Sequence, residues 1–521
     1  MDRVVLAFPG RYFCLALPGS VPNEAREGFV MMTVTARGTR HKNRFDVVAE
    51  AFRRKEGLPF ADVLTAESIQ RIFREENALF GEDDLFSTDI VLWAFLAQTL
   101  RDGKGAACAA AVADPSRLRT CIATYMLQTG QRPPSGDTGD YCRARAKLSL
   151  PALRRLVVES AQHVEREANA SWLWKGLHPK LVDGFTFTMP DTPQNQEAFP
   201  QAAGQAPGVG FPIARCCAVL SLATACVCDL ALGPYEGKQT GELALLRDLL
   251  NAFDEKDMVV FDRYYCSYMM LAMLMLRGVH VCARLHQRRL SDFRQGRRLG
   301  HDDHLVTWTL PARAEWMSEA EYARTPETLT LREVRFHVAV PGRRTKTLTV
   351  ITTLTDADVF SKEDIATLYG FRWNLALSCE GVELDIRSIK QTLGLDHVRC
   401  KTPDMVRREL WVTLLAYNLI RTVIATAAAV HGKQPRRLGF ALACQTIPSQ
   451  LRASLASWML GSTGSCSNAG EMYATILAHI AANEVANRPG RIEPRVLKRR
   501  RHRYPLMQRP RDELRAELGK T

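Results

Sequence analysis

A short buried-strand run, Asp257 to Phe261 (DMVVF), ends directly on an acid, Asp262, and this junction sets the architecture. Behind it come an apolar helical segment, Ser267 to Leu276, and a second strand, Val279 to Leu285. Upstream, Leu181 to Met189 and Ala218 to Leu230 are rich in apolar and β-branched residues and read as strands, and Gly241 to Phe253 reads as a helix. Strands followed by a strand, helix, strand alternation mean an α/β layer built on a mixed sheet.

Other regions have different periods. Residues 1 to 57 show no clear pattern and are treated as a poorly ordered extension, with Met31 and Met32 as alternative starts. From Leu58 to Leu173 the pattern is helical: Asp89 to Leu100 follows the capping pair Ser87-Thr88, and amphipathic stretches cover Arg117 to Leu127 and Leu150 to Glu167. Residues 287 to 346 are polar, basic and interrupted by proline, too long for a connection, and predict an inserted β subdomain. Thr347 to Leu354 is a strand of that insert or of the main sheet; Ser361 to Leu393 reads as one long helix capped by Ser361 with Asp364, and Arg407 to Val430 as another.

The formal charge of +13 points to a polyanionic partner, nucleic acid or anionic lipid. From Asn487 to Thr521 there are 12 Lys or Arg against 4 Asp or Glu, a tail too basic and proline-punctuated to pack a core. A second cluster comprises Arg284, Arg288, Arg289, Arg294, Arg297 and Arg298. The run Lys498-Arg499-Arg500-Arg501-His502-Arg503 suits phosphate binding by counterion release. Among the 14 cysteines none forms a Cys-x-x-Cys pair, and Cys216, Cys217, Cys226 and Cys228 lie in an apolar stretch as small hydrophobes, which fits a reducing cytoplasm. No run has the roughly 18 apolar residues of a membrane helix: Trp411 to Val430 comes nearest and Arg421 breaks it, so no membrane partner is expected.

Three acids could hold a hard cation through oxygen ligands: Asp183 in or at the end of a strand, Asp262 closing a strand, and Glu383 on a late helix. Singly, each has an ordinary reading: Asp183-Gly184 as a turn, Asp262 as a helix cap, Glu383 as a partner of Arg387. Glu383 and Lys390 are two helical turns apart, which puts a carboxylate and a cation on one face about 10 Å apart, with Arg387 beside them. A solvated charged helix edge has the same pattern. Trp308, Trp316 and Trp373 could stack on unpaired bases, although core packing explains each of them as well.

The stretches LVDGFTFTMPDTPQNQEAFPQ (181–201), FDRYYCSYMMLAML (261–274) and VELDIRSIKQTLGLDHVRCKTP (382–403) resemble bacterial insertion-sequence transposases of the DDE class, in particular the group with a Tyr-x2-Arg-x3-Glu-x6-Lys signature. The resemblance runs from about Leu58 to Tyr504. It implies an RNase H-like mixed-sheet core over 174–403 carrying a β-strand insertion at 287–346, a helical DNA-binding domain over 58–173, a helical C-terminal region over 404–486 and a basic tail over 487–521. It implies Asp183, Asp262 and Glu383 as catalytic metal ligands for Mg²⁺ or Mn²⁺, with two ions. Tyr369, Arg372 and Lys390 then handle transposon-end phosphates, with Arg387 beside them. Its partners would be inverted-repeat ends and target DNA, bound by a homodimer, in a cytoplasmic protein that joins the nucleoid when on DNA.

One departure stands out. The family places its Arg four residues before the Glu, but here Arg372 is eleven before Glu383, as if seven residues of NLALSCEGV were inserted. In an unbroken helix these would keep the face within about 20° yet move Tyr369 and Arg372 about 10 Å away. Alternatively Gly381 lets them loop out, and Glu380 becomes a rival ligand, although only Glu383 keeps six residues before Lys390. The expected activity is strand cleavage at transposon ends followed by strand transfer. The alternatives are a catalytically inactive relic acting as a DNA-binding regulator, motivated by that insertion, and a general metal-dependent nuclease.

Overall fold

The computed structural model describes residues 6–8, 11–13, 64–81, 86–99, 139–337, 347–373, 382–447, 469–485 and 507–519. It forms two units, Met1–Asn43 and Arg44–Thr521. In the first, β1 (Leu6–Phe8) and β2 (Arg11–Phe13) pair antiparallel. The expected segment Arg117 to Leu127 lies outside the described residues.

The second unit opens with helices α1 (Ala66–Glu75), α2 (Thr88–Thr99), α3 (Gly139–Ala146) and α4 (Leu150–Arg166). Helix α4 starts where Ser149 accepts a hydrogen bond from the Ala152 amide, and Leu153, Leu156, Val157 and Val164 form its buried stripe.

Its centre is a nine-stranded mixed sheet ordered β5-β4-β3-β6-β7-β11-β10-β9-β8. The strands are β3 (His178–Thr188), β4 (Ile213–Ser221), β5 (Val227–Pro234), β6 (Asp257–Phe261), β7 (His280–Arg284), β8 (Arg297–Gly300), β9 (Asp303–Thr309), β10 (Thr328–His337) and β11 (Thr347–Thr352). Strands β3, β6 and β7 run parallel, and the remaining pairs are antiparallel. Between the strands lie short helices α5 (Pro193–Ala198), α6 (Glu242–Arg247), α7 (Tyr268–Met275) and α8 (Glu319–Arg324). Strand β11 pairs with both β7 and β10, so β8 to β11 continue the main sheet.

Two elements differ from the sequence expectation. The apolar run Ala218 to Leu230 is not one strand: β4 and β5 fold back through residues 222–226, where Ala225 takes φ 62° and the Ser221 hydroxyl accepts from the Thr224 amide. With no Gly, Pro or Asn in that turn, nothing in the composition announced it. Of the long helix expected from Ser361 to Leu393, α9 (Lys362–Trp373) and α10 (Val382–Arg387) are helical, residues 374–381 lie outside the described residues, and the end, Ser388–Thr392, is a π-helical turn. The capping pair at its start is present, with the Asp364 amide donating to the Ser361 hydroxyl (3.1 Å) and the Ser361 amide to the Asp364 carboxylate (2.9 Å).

Helix α11 (Pro403–Val430) is long and apolar enough to cross a membrane, but it is largely buried against the sheet and α4. Helices α12 (Ala469–Ala482) and α13 (Arg511–Leu518) complete the unit. The end of the tail does pack: Arg511 is 9% exposed and donates to Asp191 (2.8 Å) and to the Gly210 carbonyl (3.0 Å). One face of the sheet shares a core with α1 to α4 and α9 to α12, the other with α6, α7 and the extension strands.

Candidate active site

Asp183 and Asp262 are brought together by strand register. Parallel pairing sets Leu181 beside Val260, and the same offset continued two residues sets Asp183 beside Asp262. Strand β6 stops at Phe261 while β3 runs on to Thr188, so a notch opens at the carboxyl ends of the parallel strands, where α/β sheets hold ligands. Along β3, Leu181, Phe185 and Phe187 enter the core shared with α9 and α11, so Asp183 between them faces that side. The Asp262 carboxylate accepts from the Arg263 amide (2.7 Å) and caps the turn Arg263–Tyr265.

Helix α9 supplies a cation. Arg372 Nη2 donates to Asp183 Oδ1 at 3.3 Å, and Arg372 is 7% exposed. The Gly184 amide also donates to Asp183 Oδ1, at 3.0 Å. Burial, more than these two contacts can offset, pushes the Asp183 carboxyl up to about 6, and the neighbouring charges of Glu242 and Asp262 add to the rise. Burial opposes the Arg372 charge, yet Asp183, Tyr369 and Asp262 outweigh it, so the guanidinium holds its proton more tightly than usual. Its Nε–H, buried, has no acceptor among the described residues. Tyr369 is fully buried one turn earlier, which pushes its hydroxyl well up and sets it behind Arg372 rather than at the surface.

The later candidates divide. Lys390 returns to β3, donating to the Thr186 carbonyl (2.9 Å) and pairing with Asp396 (3.2 Å). Arg387 is exposed and bonds Gln391 (3.0 Å). The backbone of Glu383 lies in α10, and its side chain is outside the described residues, as are Glu380, Gly381 and the side chain of Trp373. Trp308 is buried under Arg289, whose guanidinium lies 3.6 Å from the ring centre, and Arg247 covers Trp316 in the same way at 3.9 Å. Among the described residues no three His, Cys, Asp or Glu converge as a metal cage. Even so, Asp183 and Asp262 offer only oxygen donors, and the anionic notch is offset by one guanidinium with an unspent N–H; this fits a hard divalent cation beside a phosphate.

Glu242 escaped the sequence reading. It stands in the first turn of α6, and a Cβ built at Gly184 would run into its carboxyl group. Tyr265, three residues past Asp262, donates its hydroxyl to Glu242 Oε2 at 2.9 Å. Gly184 therefore admits a third carboxylate that braces β3 against the Asp262 turn. The only signal was a glycine directly after a strand acid.

Residues 178–419 match the family described as "Transposase DDE domain". The chain is 28% identical over 385 residues to "Transposase InsG for insertion sequence element IS4" of Escherichia coli, an alignment covering 73% of this chain and 80% of that protein. Among solved structures it is similar to a piggyBac transposase synaptic complex with hairpin DNA, with a TM-score of 0.37, 9% identity, and coverage of 81% of this chain and 85% of that one.

Proposed function

We propose, from the premise that this chain is a DDE transposase of an insertion-sequence element, that Asp183, Asp262 and Glu383 are its catalytic metal ligands within an RNase H-like core. The register that sets Asp183 beside Asp262 on the face covered by α9 carries this reading. Tyr369, Arg372, Glu383 and Lys390 are matched to the Tyr-x2-Arg-x3-Glu-x6-Lys signature with seven extra residues before Glu383, and are assigned on that match together with the Arg372 and Lys390 contacts to β3.

Mg²⁺ or Mn²⁺, as a pair, would supply Lewis acidity to the scissile phosphate and acidify a water nucleophile. The chain's own groups do the positioning. Asp183 and Asp262 present their carboxylates at the notch. Arg372 shares its charge with Asp183 and directs its unspent Nε–H to a phosphate oxygen. Lys390 and Arg387 line the approach for the transposon-end backbone, with Tyr369 supporting Arg372 from within. One strand is hydrolysed at each inverted-repeat end, and the freed 3′ hydroxyl then attacks a target phosphodiester, forming a new P–O bond as the target strand's 3′ oxygen leaves and takes up a proton. Cutting two ends together calls for a homodimer on DNA, in the cytoplasm at the nucleoid, with the helices before β3 contacting the ends.

In the test, purified protein with Mg²⁺ or Mn²⁺ nicks DNA bearing its own inverted repeats, while Asp183→Ala, Asp262→Ala and Glu383→Ala each lower the rate by at least about 1,000-fold. Equal activity in Asp262→Ala would refute the assignment. The second reading, an inactive DNA-binding regulator, is favoured by the extra residues between Arg372 and Glu383. It wins if neither the chain nor a deletion of residues 375–381 cleaves while both bind ends.

A further inference from the structure

Helix α10, Val382–Arg387, runs on into the π-helical turn Ser388–Thr392. Eight residues, 374–381, stand between it and α9, so helix continuity from Arg372 does not by itself fix where Glu383 falls. The anchor lies two residues past Glu383. Asp385 is 2% exposed; its Oδ1 accepts from Arg421 Nη2 (2.9 Å) and from the Tyr417 hydroxyl (3.2 Å), both on α11. Its Oδ2 lies 2.8 Å from Arg436 Nη1, in ion-pair range but outside hydrogen-bond alignment. Arg436 in turn donates to the Leu222 carbonyl (2.6 Å) and the Ser221 carbonyl (2.7 Å) at the end of β4. Arg421 Nε donates to the Tyr417 hydroxyl (2.9 Å), which closes the cluster.

We propose that Asp385 is the positioning residue for Glu383, clamping α10 to α11 and to the end of β4 so that the site assembles despite the extra residues after α9. The inference rests on Glu383 being a metal ligand. Two guanidinium groups converge on one buried carboxylate, and replacing such a cluster with apolar side chains is often neutral or stabilising, so stability alone does not account for it. What it adds is direction. Fixing one residue of a helix fixes rotation about its axis, and with it the face on which every other residue of that helix falls. The second fixing point, Lys390 on the Thr186 carbonyl, also bypasses α9.

The experiment uses the full chain and its Leu375–Gly381 deletion, each with and without Asp385→Asn. Mn²⁺ binding is read by calorimetry, folding by thermal melting and end cleavage by single-turnover rate. The expected result is a roughly tenfold or greater loss of Mn²⁺ affinity and rate for Asp385→Asn in the full chain, the range seen when groups supporting a metal ligand are removed. In the deletion, where α9 can run into α10, the loss should shrink to less than about threefold. Unchanged Mn²⁺ affinity in the full chain, or equal losses in both backgrounds, overturns the proposal. If Asp385→Asn does not fold, Arg436→Gln takes its place with the same two outcomes. Glu383→Ala is the control: if it leaves Mn²⁺ affinity and cleavage intact, the metal-ligand reading fails first.

Discussion

Asp183 sits where burial and two neighbouring carboxylates act against its charge, and Arg372 compensates only in part. A carboxyl raised from 3.8 to about 6 binds its proton more tightly folded than unfolded, so as pH rises from about 4 to 6 the metal-free fold loses stability, and above 6 the loss is complete. Asparagine mimics the protonated form and lacks that dependence. From pH 4 to pH 7, the stability difference between Asp183→Asn and the parent should therefore shift toward the variant by up to about 3 kcal/mol. Urea denaturation without metal checks this, and a constant difference across that range would sink it. Gly184 gives a second residue-level prediction. Alanine there meets the Glu242 carboxyl, so Gly184→Ala should destabilise by about 1–3 kcal/mol, and adding Glu242→Ala should recover most of it. Chemical denaturation of the four-member cycle reads the coupling; simple additivity would show that the two do not meet. Asp183 and Asp262 could be picked out of the sequence because each follows or interrupts an apolar strand run. Glu242 could not, because an acid in the first turn of a helix is ordinary at any position.

At the level of elements, regular hydrophobic patterning was readable and its interruptions were not. β6 occupies Asp257–Phe261 as its pattern predicts, and α7 begins behind the Ser267 cap. The β4–β5 turn and the π-helical turn at Ser388–Thr392 were invisible, since the first lacks turn residues and the second keeps an ordinary helical pattern. α11 shows how much ties between elements contribute. Asn418, fully buried in it, accepts from the Val227 amide (2.8 Å) and donates to the carbonyls of Val227 and Val157 (3.0 Å each), joining α11 to β5 and α4. Asn418→Ala strands those backbone groups away from water and should cost about 3 kcal/mol. Asn418→Asp keeps the acceptor but loses the amide donors and buries a charge, so it should cost at least as much. Thermal melting ranks them, and an Asn418→Ala protein as stable as the parent would mean that the three elements are held together by their apolar contacts alone.

For the molecule as a whole, the sheet carries the geometry of the candidate site and the surface carries the charge. Asp262 and Glu383 are separated by β7 to β11, and no periodicity could show that those strands extend one sheet and return the chain, at α9, to the face holding Asp183; that Glu383 meets the two aspartates is implied by the family resemblance alone. Charge was more direct, because a polyanion responds to cations wherever they are mounted. Part of the tail is committed internally: Arg511 pairs with Asp191, Arg509 with Glu517 and Arg515 with Asp512. The run Lys498 to Arg503 falls outside the described residues, and its sequence makes it the densest block of positive charge in the chain. If that run contacts duplex phosphates, replacing Lys498, Arg499, Arg500, Arg501 and Arg503 with serine should flatten the plot of log affinity against log salt by up to about 4.5 units, roughly 0.9 per lost phosphate contact. The effect should be equal on inverted-repeat ends and on unrelated duplex, since phosphate contacts carry no sequence information. Fluorescence anisotropy over a salt series measures both slopes. An unchanged slope would assign DNA affinity to the basic residues of the folded unit, and a loss confined to the ends would make the run a reader of sequence rather than a counter-charge.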